Sequence, residues 1–254
     1  MNEKANKHTF AIYFELLNSI IGSSAKVLRL DHRDVWKRLI KVLRLNVGES
    51  FILFDKSYYC LLSLKEESLR KKNIIVADVI ETSVNKVLSP EIILACPILK
   101  KDDFEKVVYF AAELGVTEIV PLQTDRVSRK WGGDKELSRL NKIVISAAEQ
   151  SKNFFLPNIK NLTTLDKFLN SSLDEKSKKI HLDVDGERLL GFIEECKRNA
   201  VDKIILTLGP EGDLTEKEKK LLKDYNFKFI LLTPTVLKAE HAVVVGLGVL
   251  RSLL

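Results

Sequence analysis

From Lys26 onward the apolar and polar positions fall into short, regular blocks. Val27-Leu28-Arg29-Leu30 alternates as a strand does, and the spacing of Val35, Leu39, Ile40 and Leu43 predicts a helix. Asp31 or Asp34 would cap that helix and Gly48 would stop it. Residues 51–54, 58–64 and 74–80 are β-rich runs split by polar turns. One helix among several short strands predicts a small β-barrel-like domain. Ahead of it, residues 1–25 read as a polar start and a short amphipathic segment. Residues 10–21 carry Glu15 and lack a clear cleavage site, so a signal peptide is not expected. The polar stretch 82–90, closed by Pro90, is the expected linker.

Beyond the linker the rhythm changes to alternating strand and helix. Strands are expected at 92–95, 118–121, 180–183, 203–208 and 229–232. Helices are expected at 102–114, ending at Gly115, and at 135–150, 187–198, 215–225 and 239–254. Short, nearly continuous apolar strands between helices predict an α/β fold with a parallel sheet covered on both faces. No internal repeat or low-complexity segment interrupts this order.

The composition allows a real core. Of 254 residues, 45% are hydrophobic and 30% charged, too much apolar surface for a disordered chain. The formal net charge of +6 is compatible with a polyanionic partner. Cys60, Cys96 and Cys196 lie far apart with no metal-ligand spacing, and read as buried reduced thiols. His8, His32 and His181 are scattered, so no metal site is expected. The apolar run 242–250 is far too short to span a bilayer, and no membrane association is expected.

The strongest local feature is the run from Leu206 to Glu218, in which an apolar strand ends in Gly209-Pro210-Glu211-Gly212 and a helix starts at Thr215. The glycines permit close backbone approach to a ligand, Pro210 stiffens the loop, and Thr215 with Glu218 forms a capping box. Open α/β sheets bind ligands at the carboxyl ends of their strands; a plain strand–turn–helix connection is the competing reading. No GxGxxG, GxxxxGK[ST] or GxSxG pattern occurs, which argues against a Rossmann dinucleotide site, a P-loop and a hydrolase elbow.

This run resembles the RsmE family, the 16S ribosomal RNA (uracil-N3) methyltransferases of the SPOUT superfamily. Other stretches follow in the family's order. Lys41-Val42-Leu43-Arg44-Leu45 with Gly48-Glu49 is similar to its VLRL…G-[DE]. Ala112-Glu113-Leu114-Gly115-Val116 with Ile119-Val120-Pro121 resembles its ELGV…I-x-P, and Thr124-Asp125-Arg126 its T-x-R. Ala147-Ala148-Glu149-Gln150-Ser151 with Pro157 resembles its AAEQS…P. The matches run from about Lys26 to the carboxyl end.

The resemblance implies a PUA-like RNA-binding β-barrel over 1–82 and a SPOUT methyltransferase domain over 90–254, with a deep trefoil knot near the carboxyl end. It implies a cytoplasmic homodimer that uses S-adenosylmethionine to methylate uridine N3 in 16S ribosomal RNA of the small (30S) subunit. The cofactor loops implied are Leu208, Gly209, Pro210, Glu211 and Gly212, and Leu232, Thr233, Val236 and Leu237.

Several positions depart from the family. Asp213 replaces the last Gly of GPEGG. In the last loop, LGPRILR followed by x-E-T-A aligns with 232–242, so Thr233 replaces Gly, Thr235 and Lys238 replace Arg, and His241 replaces Thr. These changes leave two other readings open: an RNA-binding or ribosome-assembly factor with weakened methyl transfer, or another SPOUT specificity.

Methylation at N3 requires removal of its proton, so a general base is needed. Glu211 and Glu240 are the candidates, with His241 a third group that could titrate near neutral pH or serve only as a structural residue beside a helix start. Glu211 would otherwise hold its loop or complement the dipole of the helix at 215–225, and Glu240 would complement a helix start. Arg126, Arg129 and Lys130 beside Trp131 suggest phosphate contacts with a stacked base, or a solvated loop anchored by one Trp. Lys37, Arg38, Lys41 and Arg44 give the amino-terminal helix a basic face, with Arg38 and Arg44 the expected RNA contacts.

Overall fold

The computed structural model describes residues 9–21, 26–171 and 176–254. It divides into two compact units, one of residues 1–86 with 148–155, the other of 87–147 with 156–254. The expected polar start lies largely outside the described residues.

The first unit carries β1 (Phe10–Tyr13), α1 (Leu17–Ile20), β2 (Val27–Asp31), α2 (Arg33–Trp36), β3 (Ser50–Phe54), β4 (Tyr58–Leu64), α3 (Glu67–Arg70) and β5 (Ile74–Val84). Its sheet runs β1-β3-β4-β5-β2, antiparallel except for the parallel β1/β3 pair. Period-two alternation buries Leu28 and Leu30 from β2 and Cys60, Leu62 and Leu64 from β4 in one core with Phe51 and Leu39.

The first helix continues from α2 as a π-helical turn over Lys37–Val42, closed by the Leu43 amide donating to the Arg38 carbonyl at 2.8 Å. Its cap is His32, whose Nδ1 accepts the Val35 amide at 3.3 Å, and not Asp31 or Asp34. The wide turn also sets Lys41 Nζ 5.4 Å from the centre of the Trp36 ring, five residues back. Finally, β5 runs on to Val84, so the expected linker begins inside a strand.

The second unit carries β6 (Glu91–Pro97), α4 (Lys101–Glu113), β7 (Glu118–Gln123), α5 (Asp134–Ser151), β8 (Asn158–Ile159), β9 (Thr163–Thr164) and α6 (Leu165–Asn170). Then follow β10 (Lys178–Arg188), α7 (Leu189–Arg198), β11 (Lys203–Leu208), α8 (Glu216–Asp224), β12 (Lys228–Leu231) and α9 (Ala239–Leu253). Residues 148–151 of α5 belong with the first unit.

The sheet order is β12-β10-β11-β6-β7-β8, with β9 also on β7, and every pairing is parallel. Both faces are covered, as the continuous apolar strands predict. Ile92, Leu94, Ile204 and Leu206 point into one cluster with α4, α7 and α9, while Ala95 and Ile205 point into another with α6 and α8. All three cysteines are buried and unpaired. Among the described residues no helix is long and apolar enough to cross a membrane.

The expected helix at 187–198 starts later, at Leu189, because β10 does not stop at Asp183. The strand leaves its register with β12 after Leu182 and regains it at Glu187, both residues facing Ile230. Gly186 makes this detour possible. A Cβ there would meet Ile230 N at 2.5 Å and Phe229 C at 2.6 Å, so only glycine fits against that backbone.

Candidate functional site

β12, β10 and β11 are neighbours in the sheet, so the segments at their carboxyl ends lie side by side. These are the β10 detour, the loop 209–215 and the loop 232–238. A hollow of about 80 Å³ opens between the first and the last, lined by Leu182, Asp183, Val184, Thr233, Leu237 and Ala242 among others. It is smaller than pockets that enclose a whole ligand, roughly 300–1000 Å³, so it would hold only part of one.

The loop 209–215 is fixed from several sides. The Asp213 amide donates to the Pro210 carbonyl at 2.9 Å, closing a turn. Asp213 itself is left-handed, at φ 61°. Its Oδ1 accepts the Leu214 amide at 2.7 Å, the kind of local bond that lets a short polar residue occupy that region. Gly209 lies tight against the same turn: a Cβ there would meet Asp213 Oδ1 at 2.9 Å and push that carboxylate aside. Arg126 Nη1 donates to the Gly212 carbonyl at 2.7 Å. The capping box is present: Thr215 Oγ1 accepts the Glu218 amide at 3.3 Å, and Glu218 Oε2 accepts the Thr215 amide at 2.9 Å.

Glu211 is exposed, and its Oε1 accepts the Lys100 amide at 3.0 Å. Helix α4 has no side-chain cap from Lys100, so Glu211 supplies an acceptor at the positive end of α4 rather than of α8. Glu240 lies in the first turn of α9 and is 6% exposed. The other cofactor-loop residues separate. Leu232, Thr233 and Leu237 line the hollow, with Thr233 Oγ1 donating to the Thr235 carbonyl at 2.7 Å. Val236 points outward, 81% exposed. Leu208 is buried in the core, while Gly209, Pro210 and Gly212 form the adjacent loop and lie outside the lining.

Residues not singled out as site candidates lie beneath these loops. Lys219 Nζ sits 2.8 Å from Asp183 Oδ2 and 2.7 Å from Asp213 Oδ2. His181 is fully buried, with Nδ1 2.9 Å from Thr207 Oγ1 and Nε2 without a hydrogen-bond partner. Its Nε2 is 3.8 Å from Asp183 Oδ2, too long for a hydrogen bond. Burial lowers the His181 pKa to about 4, so the ring is neutral near pH 7 and makes no ion pair there. In the sequence His181 is a lone His in an apolar strand and Asp213 a departure from the family's glycine, with nothing to join them to Lys219 or Asp183.

The basic candidates differ in what they touch. Arg38 makes a bidentate pair with Glu149, at 2.8 and 2.7 Å, and Glu149 also accepts the Tyr13 amide at 2.9 Å. Arg44 is exposed in a left-handed turn. Arg129 is committed within the protein, donating through Nε to the Leu99 carbonyl at 2.7 Å and pairing with Glu136. Trp131 is half-buried, edge-on to Phe104 at 6.1 Å, with the Arg129 guanidinium 5.8 Å from its ring. Among these four arginines and Lys130, only Arg44, Arg126 and Lys130 are exposed without an acidic partner.

The family model for the RNA methyltransferase domain matches residues 87–251. The ribosomal RNA small subunit methyltransferase E of Rickettsia conorii is 27% identical over 242 residues, 93% of this chain and 94% of its own. That of Mesomycoplasma hyopneumoniae is 30% identical over 213 residues, 81% of this chain and 86% of its own. Among solved structures, the Neisseria gonorrhoeae ribosomal RNA small subunit methyltransferase E bound to S-adenosyl methionine matches with a TM-score of 0.79 and 25% identity. That match covers 97% of this chain and 98% of the other. A matching domain that contains all three strand-end loops, and relatives aligned along nearly the whole chain, place this protein in the RNA methyltransferase family, with the ribosomal RNA small subunit methyltransferases E.

Proposed function

We propose that this chain transfers a methyl group from S-adenosylmethionine to N3 of a uridine in 16S ribosomal RNA. The observation that carries the reading is the hollow between the β10 detour and the loop 232–238, with the loop 209–215 beside it. They lie in a chain that aligns end to end with a relative holding that cofactor.

The residues fit such a ligand in part. Leu182, Val184 and Leu237 offer apolar walls for a ring, and the backbone of 232–237, with that of the adjacent loop 208–212, would supply polar groups for the remainder. S-adenosylmethionine supplies an electrophilic methyl on a sulfonium. The chain's own task is to hold uracil N3 in line with that methyl and to take its proton. Two carboxylates in these segments are suited to the proton: Glu211, anchored at the loop by the Lys100 amide, and Glu240, buried at the start of α9.

Finer features belong to the same reading. A deep trefoil knot is supported by the β10 detour, where Gly186 lies against the backbone of β12. A PUA-like barrel over 1–82 is supported by the five-stranded sheet of the first unit, and a SPOUT domain over 90–254 by the parallel sheet of the second. RNA phosphates would meet Arg44, Arg126 and Lys130, with Arg38 and Arg129 bracing the segments that carry them. A homodimer is supported by the exposed Val184, Leu190 and Val236 beside the loops. The substrate is the small ribosomal subunit or its RNA, which sets the protein in the cytoplasm. A second reading, an assembly factor that has lost methyl transfer, is favoured by Thr233, Thr235 and Lys238 in the last loop.

Calorimetric titration with S-adenosylmethionine separates the two. Micromolar binding, about −8 kcal/mol, that is abolished by Leu237→Arg is expected. A folded wild-type protein that does not bind contradicts methyl transfer and leaves the assembly factor.

A further inference from the structure

Asp213 stands where the resembling family carries glycine, and its backbone is left-handed, a region that glycine occupies with less strain. The aspartate therefore needs a compensating interaction. The Leu214 amide supplies one through Oδ1, and Lys219 supplies the other through Oδ2 at 2.7 Å.

Lys219 lies in the second turn of α8 and is 13% exposed in its side chain. Its ammonium also holds Asp183, 3% exposed, at 2.8 Å. Asp183 opens the β10 detour and lines the hollow, and Asp213 closes the loop 209–213. One cation thus ties together loops from two neighbouring strands. Desolvation works against charge on both groups, lowering the Lys219 pKa and raising that of Asp183. The mutual contacts, with the Asp185 amide on Asp183, reverse both directions and keep the pair ionised.

We propose that Asp183–Lys219–Asp213 is a clamp that sets the spacing of the β10 detour and the 209–213 loop for cofactor binding, with Lys219 and Asp213 as positioning residues. The inference rests on the reading of these loops as the S-adenosylmethionine site. Glycine at 213 would relieve the backbone strain but leave the loop free to move, whereas the ion pair holds it in one position.

The test compares S-adenosylmethionine binding and steady-state methylation in the full-length wild type, Asp213→Gly, Asp213→Asn, Lys219→Met, Lys219→Arg and the double variant Asp213→Gly/Lys219→Met. Asp213→Gly is the decisive variant, because it relaxes the backbone while removing the charge. The clamp predicts about fivefold weaker binding for it, with an unchanged or higher melting temperature. KM for S-adenosylmethionine should rise in parallel, and kcat at saturation should fall far less. Asp213→Asn should weaken binding similarly, Lys219→Arg should retain more affinity than Lys219→Met, and adding Asp213→Gly to Lys219→Met should weaken binding no further. Asp213→Gly binding as tightly as wild type, while Leu237→Arg abolishes binding, overturns the clamp alone. Wild type that does not bind, or Leu237→Arg that binds normally, overturns the cofactor-site reading and the clamp with it.

Discussion

His181 shows how a single side chain is set by strands distant in sequence. The β10/β11 register places it opposite Thr207, and burial keeps the ring neutral to about pH 4. Asp183 and Asp213 favour its protonation, and Lys219 opposes it. In the unfolded chain the same ring takes a proton near its usual pKa of about 6.5. Between these values the unfolded state binds more protons, so stability is present above about pH 6.5 and falls as pH drops toward 4. The loss from this group is about 3 kcal/mol over that window. Chemical denaturation at stepped pH should show the decline, and His181→Gln should flatten it between pH 6.5 and 5; an unchanged slope in the variant contradicts this account. None of this was legible in the sequence, where His181 is an isolated polar residue in an apolar run. Asp213 was visible as a departure from the family, but its partner Lys219 becomes apparent only when α8 folds back beneath the loops. Arg129 shows the opposite case, a basic residue in a suggestive cluster whose donors are taken by Glu136 and the Leu99 carbonyl.

At the scale of elements, what the pattern revealed depended on burial. Strands β6, β7 and β11 are covered on both faces, so their apolar runs mark them closely. The two-residue strands β8 and β9 and the single turns α1 and α3 are too short to carry a period. The pattern ends β10 too early because the detour around Gly186 breaks the alternation with polar residues, which resemble a helix start. The π-helical turn after α2 keeps an apolar spacing compatible with an α-helix and was equally hidden. Helix α9 gives a test of element docking. Arg251 donates to the carbonyls of Leu114, Pro90 and Gly115 at 3.0, 2.6 and 2.6 Å, satisfying the end of α4. Arg251→Met leaves these acceptors without their donors and should cost about 3 kcal/mol in denaturant unfolding. Arg251→Lys keeps the charge but lacks the fork, and should recover only part of the loss. A cost below about 0.5 kcal/mol for Arg251→Met would show that the bonds are not maintained in solution.

For the whole molecule, the alternation of strand and helix was enough to predict a parallel α/β sheet, and the ordered motifs pointed to the family. The composition of the compact units was less accessible. A polar stretch at 82–90 suggests one boundary, yet the first unit also takes in residues 148–155. There Glu149 pairs with Arg38, and Phe154 packs on Phe54 and Tyr59 with ring centres 4.7 and 5.1 Å away. Such a return of the chain leaves no periodic trace. Nor does a net charge of +6 identify an RNA surface, since the structure divides the basic candidates into exposed groups and groups bound within the protein. On the proposed function, a methyl group reaches N3 of a uridine in small-subunit ribosomal RNA. The most direct measurement incubates unmodified 30S subunits with the protein and S-adenosylmethionine, then identifies the nucleosides of the 16S RNA by mass spectrometry. The account predicts 3-methyluridine at one site, dependent on both protein and cofactor. No transferred methyl, or a methyl on a ribose 2′ oxygen, would contradict it.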